Sequence, residues 1–158
     1  MFSSANTSEI TTLKQEIMAK RDIGEVTLEI KQLKSAQTLI PENIITIIDT
    51  LVNQLGYRPL GANWQEINLQ TAEKILTFAL TKDLAYSTSM MSESEAAKII
   101  VKLINLFPGT PQFFTNLSNI NNDSIMSAWN SLTDATFDTG IVIINNDRCG
   151  LIWFQDED

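Results

Sequence analysis

Thr136-Phe-Asp-Thr-Gly-Ile-Val-Ile-Ile144, Asn145-Asn-Asp147, Arg148-Cys-Gly-Leu-Ile-Trp-Phe154 is the stretch on which the reading of this chain turns. Both flanks are rich in β-branched and aromatic residues, and three turn formers separate them, which is the pattern of a β-hairpin. Asn and Asp tolerate positive φ, as tight hairpin turns require. Two strands alone are marginal in water. The hairpin must therefore pack on helices, find another strand among the loops, or pair with a partner.

The preceding residues read mainly as helix. Thr7 or Ser8 caps a helix running to about Arg21, with Ile10, Leu13, Ile17 and Met18 on its apolar face, and Gly24 interrupts it. The next segment fits two periods. Val26, Leu28 and Ile30 alternate like a strand, whereas Ile23, Val26, Ile30 and Leu33 form a helical stripe; the helical reading is the one adopted. Pro41 at the first turn and Gly56 just past the end bracket a third helix with a wide Ile/Leu/Val stripe. Residues 57–66 read as a loop, marked by Arg58-Pro59 and Gly61, and a fourth helix is expected from about Leu69 to Ala85. Ser92-Glu-Ser-Glu95 is a capping box opening a fifth, which Phe107-Pro-Gly109 closes, and Asp123 is placed to cap a short sixth ending near Trp129. The expected fold is α+β: a predominantly helical single domain over residues 1–158, with five or six helices, a C-terminal β-hairpin packed on them, and a flexible lead-in over 1–7.

Size and composition support a packed domain. The chain has 158 residues, 44% hydrophobic and 19% charged, enough to bury a core. One cysteine, Cys149, cannot form an internal disulfide, which suits a reducing compartment. No run approaches the ~18 apolar residues of a membrane span, and the N-terminus lacks the pattern of a secretory signal. A cytoplasmic setting and no membrane partner are the expectations.

Charge is uneven. Residues 1–106 hold 12 Asp/Glu and 10 Lys/Arg, while residues 107–158 hold 7 Asp/Glu and one Arg, so the balances of −2 and −6 give the total of −8. Nucleic acid is an unsuitable partner, because such binding runs on clustered Lys/Arg and the longest basic run is Lys20-Arg21. An acidic surface favours a basic protein, or serves solubility alone.

Catalytic chemistry has little to work with. There is no histidine, which removes the commonest general base and metal ligand, and a single Cys cannot build a thiolate zinc site. Phe137-Asp-Thr-Gly140 contains the Asp-Thr-Gly of aspartic proteases, but only 18 residues follow Gly140, too few for that fold. The alternative is that Asp138 forms a turn and Gly140 permits entry into the strand. Asp156, Glu157 and Asp158, with Asp134, Asp138 and Asp147 nearby in sequence, have the oxygen ligands of a hard-cation site, though not the spacing of a calcium loop; a solvated tail is the simpler reading. No enzyme activity, cofactor or metal is expected. Trp153 and Phe154 face opposite sides of a strand, so one can stand on the outer face, with core packing as the competing fate. Cys149 reads as a small buried strand residue.

Ala135-Thr-Phe-Asp-Thr-Gly-Ile-Val-Ile-Ile144 with Arg148-Cys-Gly-Leu-Ile-Trp-Phe-Gln-Asp-Glu-Asp158 resembles the ending of certain small acidic bacterial immunity proteins, which protect cells from polymorphic or contact-dependent inhibition toxins. The resemblance covers about the last 25 residues and no shared signature defines it. It implies a binding module that occludes a basic, nuclease-type toxin domain. From the residues themselves, Asp147, Asp156, Glu157 and Asp158 are the candidate partner-binding charges and Trp153 the anchor, with the hairpin able to lend an edge strand. A structural or adaptor domain of a larger assembly is the alternative, and a carboxylate-metal hydrolase the third. The oligomeric state is left open.

Overall fold

Thr7 opens the first helix by accepting a hydrogen bond from the Ile10 amide, and the chain then alternates helices with strands that are far apart in sequence but adjacent in space. The computed structural model describes residues 2–5, 7–34, 40–118 and 125–157. Its elements are β1 (Phe2–Ser4), α1 (Ser8–Lys20), β2 (Glu25–Leu33), α2 (Pro41–Gln54), β3 (Gln65–Ile67), α3 (Leu69–Thr81), α4 (Glu93–Asn105), β4 (Gln112–Thr115), β5 (Leu117–Ser118), β6 (Ala128–Trp129), β7 (Phe137–Ile144) and β8 (Arg148–Asp156). Six strands form one antiparallel sheet in the order β1-β2-β8-β7-β4-β3, and β5 and β6 form a small separate ladder.

The hairpin lies at the centre of this sheet. β8 pairs with β7 on one side and with β2 along nearly its whole length on the other. Alternate residues enter two cores. Ile141, Ile143, Ile152 and Phe154 face a layer made by α1, α3 and α4. Val142, Ile144, Cys149, Leu151 and Trp153 face α2, Trp64 and Leu132. A strand covered on both faces reads as a continuous apolar run, which is why Ile141–Ile144 and Leu151–Phe154 show no polar alternation. Each of those large side chains contributes about 1.5–3 kcal/mol over its exposed state, so the hairpin is the most strongly buried part of the sequence.

Two glycines make that centre possible. A Cβ on Gly140 would sit 2.0 Å from the Ile152 carbonyl oxygen and 2.6 Å from the Trp153 ring. A Cβ on Gly150 would sit 2.5 Å from the Phe107 ring.

The expected helical domain is thus corrected. Among the described residues there are four α-helices rather than five or six, arranged on both faces of a six-stranded sheet. Residues 25–33, read as helix, are a strand: the alternation of Val26, Leu28 and Ile30 prevails because β8 offers a full-length partner. Phe2–Ser4, expected to be flexible, pair with Lys31–Leu33 as the edge strand. The helix from Leu69 stops at Thr81, short of Ala85, because Lys82 turns extended and Asp83 starts a loop. Asp123 lies outside the described residues; Ile125–Ser127 form a 3-10 turn and Ala128–Trp129 a strand where a sixth helix was expected. The hairpin turn needs no positive φ: Asn145 accepts from the Asp147 and Arg148 amides through its side chain, and its own amide donates to the Arg148 carbonyl.

Candidate protein-binding surface

The sheet separates the candidate residues that sequence had grouped. Asp147 is exposed at the hairpin tip, whereas Asp156 and Glu157 lie where β8 finishes. At the rise of an extended strand these ends are about 30 Å apart. Asp158 falls outside the described residues. Trp153 is 0% exposed, packs edge-on to Trp64 with ring centroids 6.2 Å apart, and donates its indole N–H to Asp138 at 3.1 Å. It is a core residue and not an outward anchor, because an odd-numbered position on this central strand points into the α2 layer. Nor can the hairpin lend an edge strand, since both its edges are paired.

Asp156 has an internal partner. Arg21 donates from Nη1 to Asp156 Oδ1 at 3.0 Å and from Nη2 to Oδ2 at 2.7 Å, with the two side chains 0% and 1% exposed. The same guanidinium donates to the carbonyls of Ala79 (2.6 Å) and Ile23 (2.7 Å), and lies 4.9 Å from the Phe154 ring centroid. The Leu84 amide donates to Asp156 Oδ2 at 2.7 Å. Gly24, at φ +74°, passes so close that a Cβ would fall 1.8 Å from Asp156 Oδ1. One planar fork thereby joins the end of α1, the entry to β2, the end of α3 and the end of β8. Such a pair is dry and structural, so it removes Asp156 from the candidate docking charges.

Asp138 is also committed internally. Its carboxylate accepts from the amides of Leu132 and Thr133, the Thr133 hydroxyl and the Trp153 indole, and it is fully buried. The Asp-Thr-Gly triplet therefore pins a loop to a strand; the expected turn at Asp138 is instead a strand interior. Burial pushes the Cys149 thiol up to about 12, leaving it without thiolate character. Among the described residues, no three His, Cys, Asp or Glu side chains converge as a metal site.

The joint at Arg21 supports a loop that sequence reading missed. After α3 the chain runs through Asp83 to Met91. Asp83 Oδ1 accepts from the amides of Ala85 (3.0 Å) and Tyr86 (2.7 Å), and Oδ2 from Thr88 (2.8 Å). The backbone closes over it: Ser87 N–H donates to the Asp83 carbonyl, Asp83 N–H to Thr88, and Met90 N–H to Thr81. Burial alone would push the Asp83 carboxyl up, but these amides outweigh it and hold it below its ordinary value. Ser87 sits at φ 57° and Tyr86 stands 69% exposed. Leu84 continues the i+4 stripe from Leu80, which disguised the helix end; Asp83 followed by Tyr86-Ser-Thr-Ser89 was the available turn signal.

Six large apolar side chains are exposed among the described residues, and three of them, Met18 (53%), Ile23 (41%) and Tyr86 (69%), belong to the segments that Arg21 and Asp156 join. Met18, Arg21, Asp22, Gly24, Glu25, Val26 and Thr27 line an open groove of about 520 Å³ there, the Arg21 guanidinium being committed to Asp156. Asp22, Glu25 and Glu157 stand exposed at this end with no Lys or Arg in ion-pair reach among the described residues, Glu157 accepting from the Thr136 hydroxyl at 2.5 Å. Several carboxylates elsewhere have ion partners, while others such as Glu42, Glu73 and Asp147 have none among the described residues. Glu16 takes Lys102 (2.9 Å) and Lys20 (3.4 Å), and these lysines, Lys102 foremost, hold its carboxyl below its ordinary value against burial. Glu29 pairs with Lys14, and Asp134 with Arg58. Exposed apolar side chains and unpaired carboxylates thus share this end of the sheet, Glu157 on the side lined by Tyr57, Arg58 and Gln155.

No protein-family model matches the sequence, and no curated protein or solved structure matches it significantly. No helix among the described residues is long and apolar enough to cross a membrane.

Proposed function

We propose that this chain is a non-enzymatic protein-binding module of the immunity type, which neutralises a basic, nuclease-type toxin domain by covering it. The docking surface in this reading is the end of the sheet where β8 finishes. One observation carries it: Met18, Ile23 and Tyr86 are exposed on segments that meet at this end of the sheet, where Asp22, Glu25 and Glu157 also stand exposed with no Lys or Arg in ion-pair reach among the described residues. Interfaces place apolar or aromatic side chains at the centre and polar groups at the rim. Rim carboxylates steer a basic partner and set its association rate, while the apolar centre sets how long the complex lasts.

The test uses the C-terminal domain encoded immediately upstream of this gene, purified and immobilised, with association followed across a range of salt. Binding is expected, with a rate that falls steeply as salt rises. The triple variant Asp22→Asn, Glu25→Gln, Glu157→Gln is expected to associate about tenfold more slowly at low salt and with a flatter salt dependence. An unchanged rate, or a neighbour that does not bind, rejects the reading. A stable homo-oligomer without a basic partner would favour a structural role instead.

A further inference from the structure

We infer that the loop from Asp83 to Met91 is a preformed anchor, and that Tyr86 receives a Lys or Arg side chain of the basic partner over its ring. The inference rests on the docking reading above and adds which residue grips the partner and by what chemistry. Tyr86 is the most exposed large apolar side chain described in the molecule, yet its loop is among the most tightly tied. The Asp83 carboxylate holds the amides of Ala85, Tyr86 and Thr88, the Asp83 amide donates to the Thr88 carbonyl, and Lys82 and Ser89 form a β-bridge. Ser87 takes a left-handed conformation that a side chain disfavours, and a strained residue persists where its surroundings over-determine it. A loop held this firmly loses little freedom when it binds, so its aromatic tip retains most of its contact energy.

The surrounding charge selects the occupant. Lys82 is half-buried on the same loop, and the Asp83 carboxylate is turned inward onto its own amides. Beyond them, Asp22 and Glu25 enter from the α1–β2 turn, which Asp156 places next to Leu84 through its contacts with Gly24 and the Leu84 amide. A phenol ring attracts a cation to its face, and the exposed Asp22 and Glu25 on the turn joined to Leu84 favour a basic partner over an acidic one. A guanidinium gains most, since it can lie flat on the ring and still bond a carboxylate.

The test is an NMR titration of the full chain, 15N-labelled, with a short Gly-Arg repeat peptide, and with a Gly-Glu repeat as control. Amide shifts are expected at residues 22–25 and 83–88, together with an upfield ring-current shift of the arginine side-chain methylenes. Tyr86→Phe is expected to keep that shift. Tyr86→Leu, which retains apolar area without a π face, is expected to abolish it, both variants melting within a few degrees of the parent. Movement at 22–25 with no ring-current shift overturns the anchor while leaving the docking surface standing. Shifts spread evenly over Glu42, Glu73 and other distant acids, or none at all, overturn both. Asp83→Asn, which loosens the loop without touching the ring, is expected to weaken the peptide's ring-current signal; an undiminished signal removes the argument from pre-organisation.

Discussion

Replacing Arg21 by Met tests the joint on which the whole end of the sheet depends. The side chain leaves behind an Asp156 carboxylate, 1% exposed, whose remaining protein donor is the Leu84 amide at 2.7 Å. It also strands the carbonyls of Ala79 and Ile23, which Arg21 bonded at 2.6 and 2.7 Å. Removing one partner of a buried pair costs about 3–5 kcal/mol, because the other charge stays in the interior. Each orphaned carbonyl adds about 1–3 kcal/mol where water cannot reach it, so the upper half of that range is expected. For a chain of this length, the loss corresponds to a fall in Tm of about 10–15 °C. Arg21→Lys keeps the charge but not the fork, and is expected to cost about half as much. The assay is urea unfolding followed by tryptophan emission and circular dichroism together, since coincident transitions license a two-state value. The double variant Arg21→Met, Asp156→Leu removes both charges and is expected to recover a large part of the deficit. A single variant within about 1 kcal/mol of the parent would refute the reasoning, as would an Asp156→Asn variant that alters partner association while leaving stability untouched.

Gly140→Ala is expected to destabilise by at least about 3 kcal/mol or to abolish folding, because the new methyl meets the Ile152 carbonyl and the Trp153 ring, neither of which can retreat; soluble yield and urea midpoint report it. Cys149 is expected to react with a thiol reagent only as fast as the chain opens, since burial holds its thiol near 12; labelling in native buffer at the rate of the unfolded chain would contradict this. Asp83 has a folded carboxyl held below its unfolded value, so its contribution is present above about pH 4 and is lost as pH falls through the lower folded value. Asp83→Asn is accordingly expected to cost about 1–3 kcal/mol at neutral pH, with the gap to the parent narrowing in acid; urea midpoints across pH give the comparison.

What was legible in the sequence was local. The Thr7 cap and the Ser92/Glu95 capping box satisfy donors within one helical turn, and Pro41 removes one at the start of α2, so a few neighbouring residues announce those helix starts. The change of composition after Thr136 announced the hairpin in the same way, because β-branched and aromatic runs and turn formers sit within one short span. The end of α3 was local too, yet Leu80 and Leu84 kept up the helical spacing and concealed the Asp83 turn. Tertiary structure alone decided the rest. The segment from Val26 to Leu33 fits both periods, and β8, more than a hundred residues later, made it a strand. The same pairing moved the hairpin from a projecting edge to the centre, which turned Trp153 from a candidate anchor into core. Asp156 looked like one more carboxylate in an acidic tail, and Arg21 lies 135 residues before it. Composition records that both charges exist, but the energy of a dry ion pair depends on distance and on excluded water, and those arise only once the chain has closed around them.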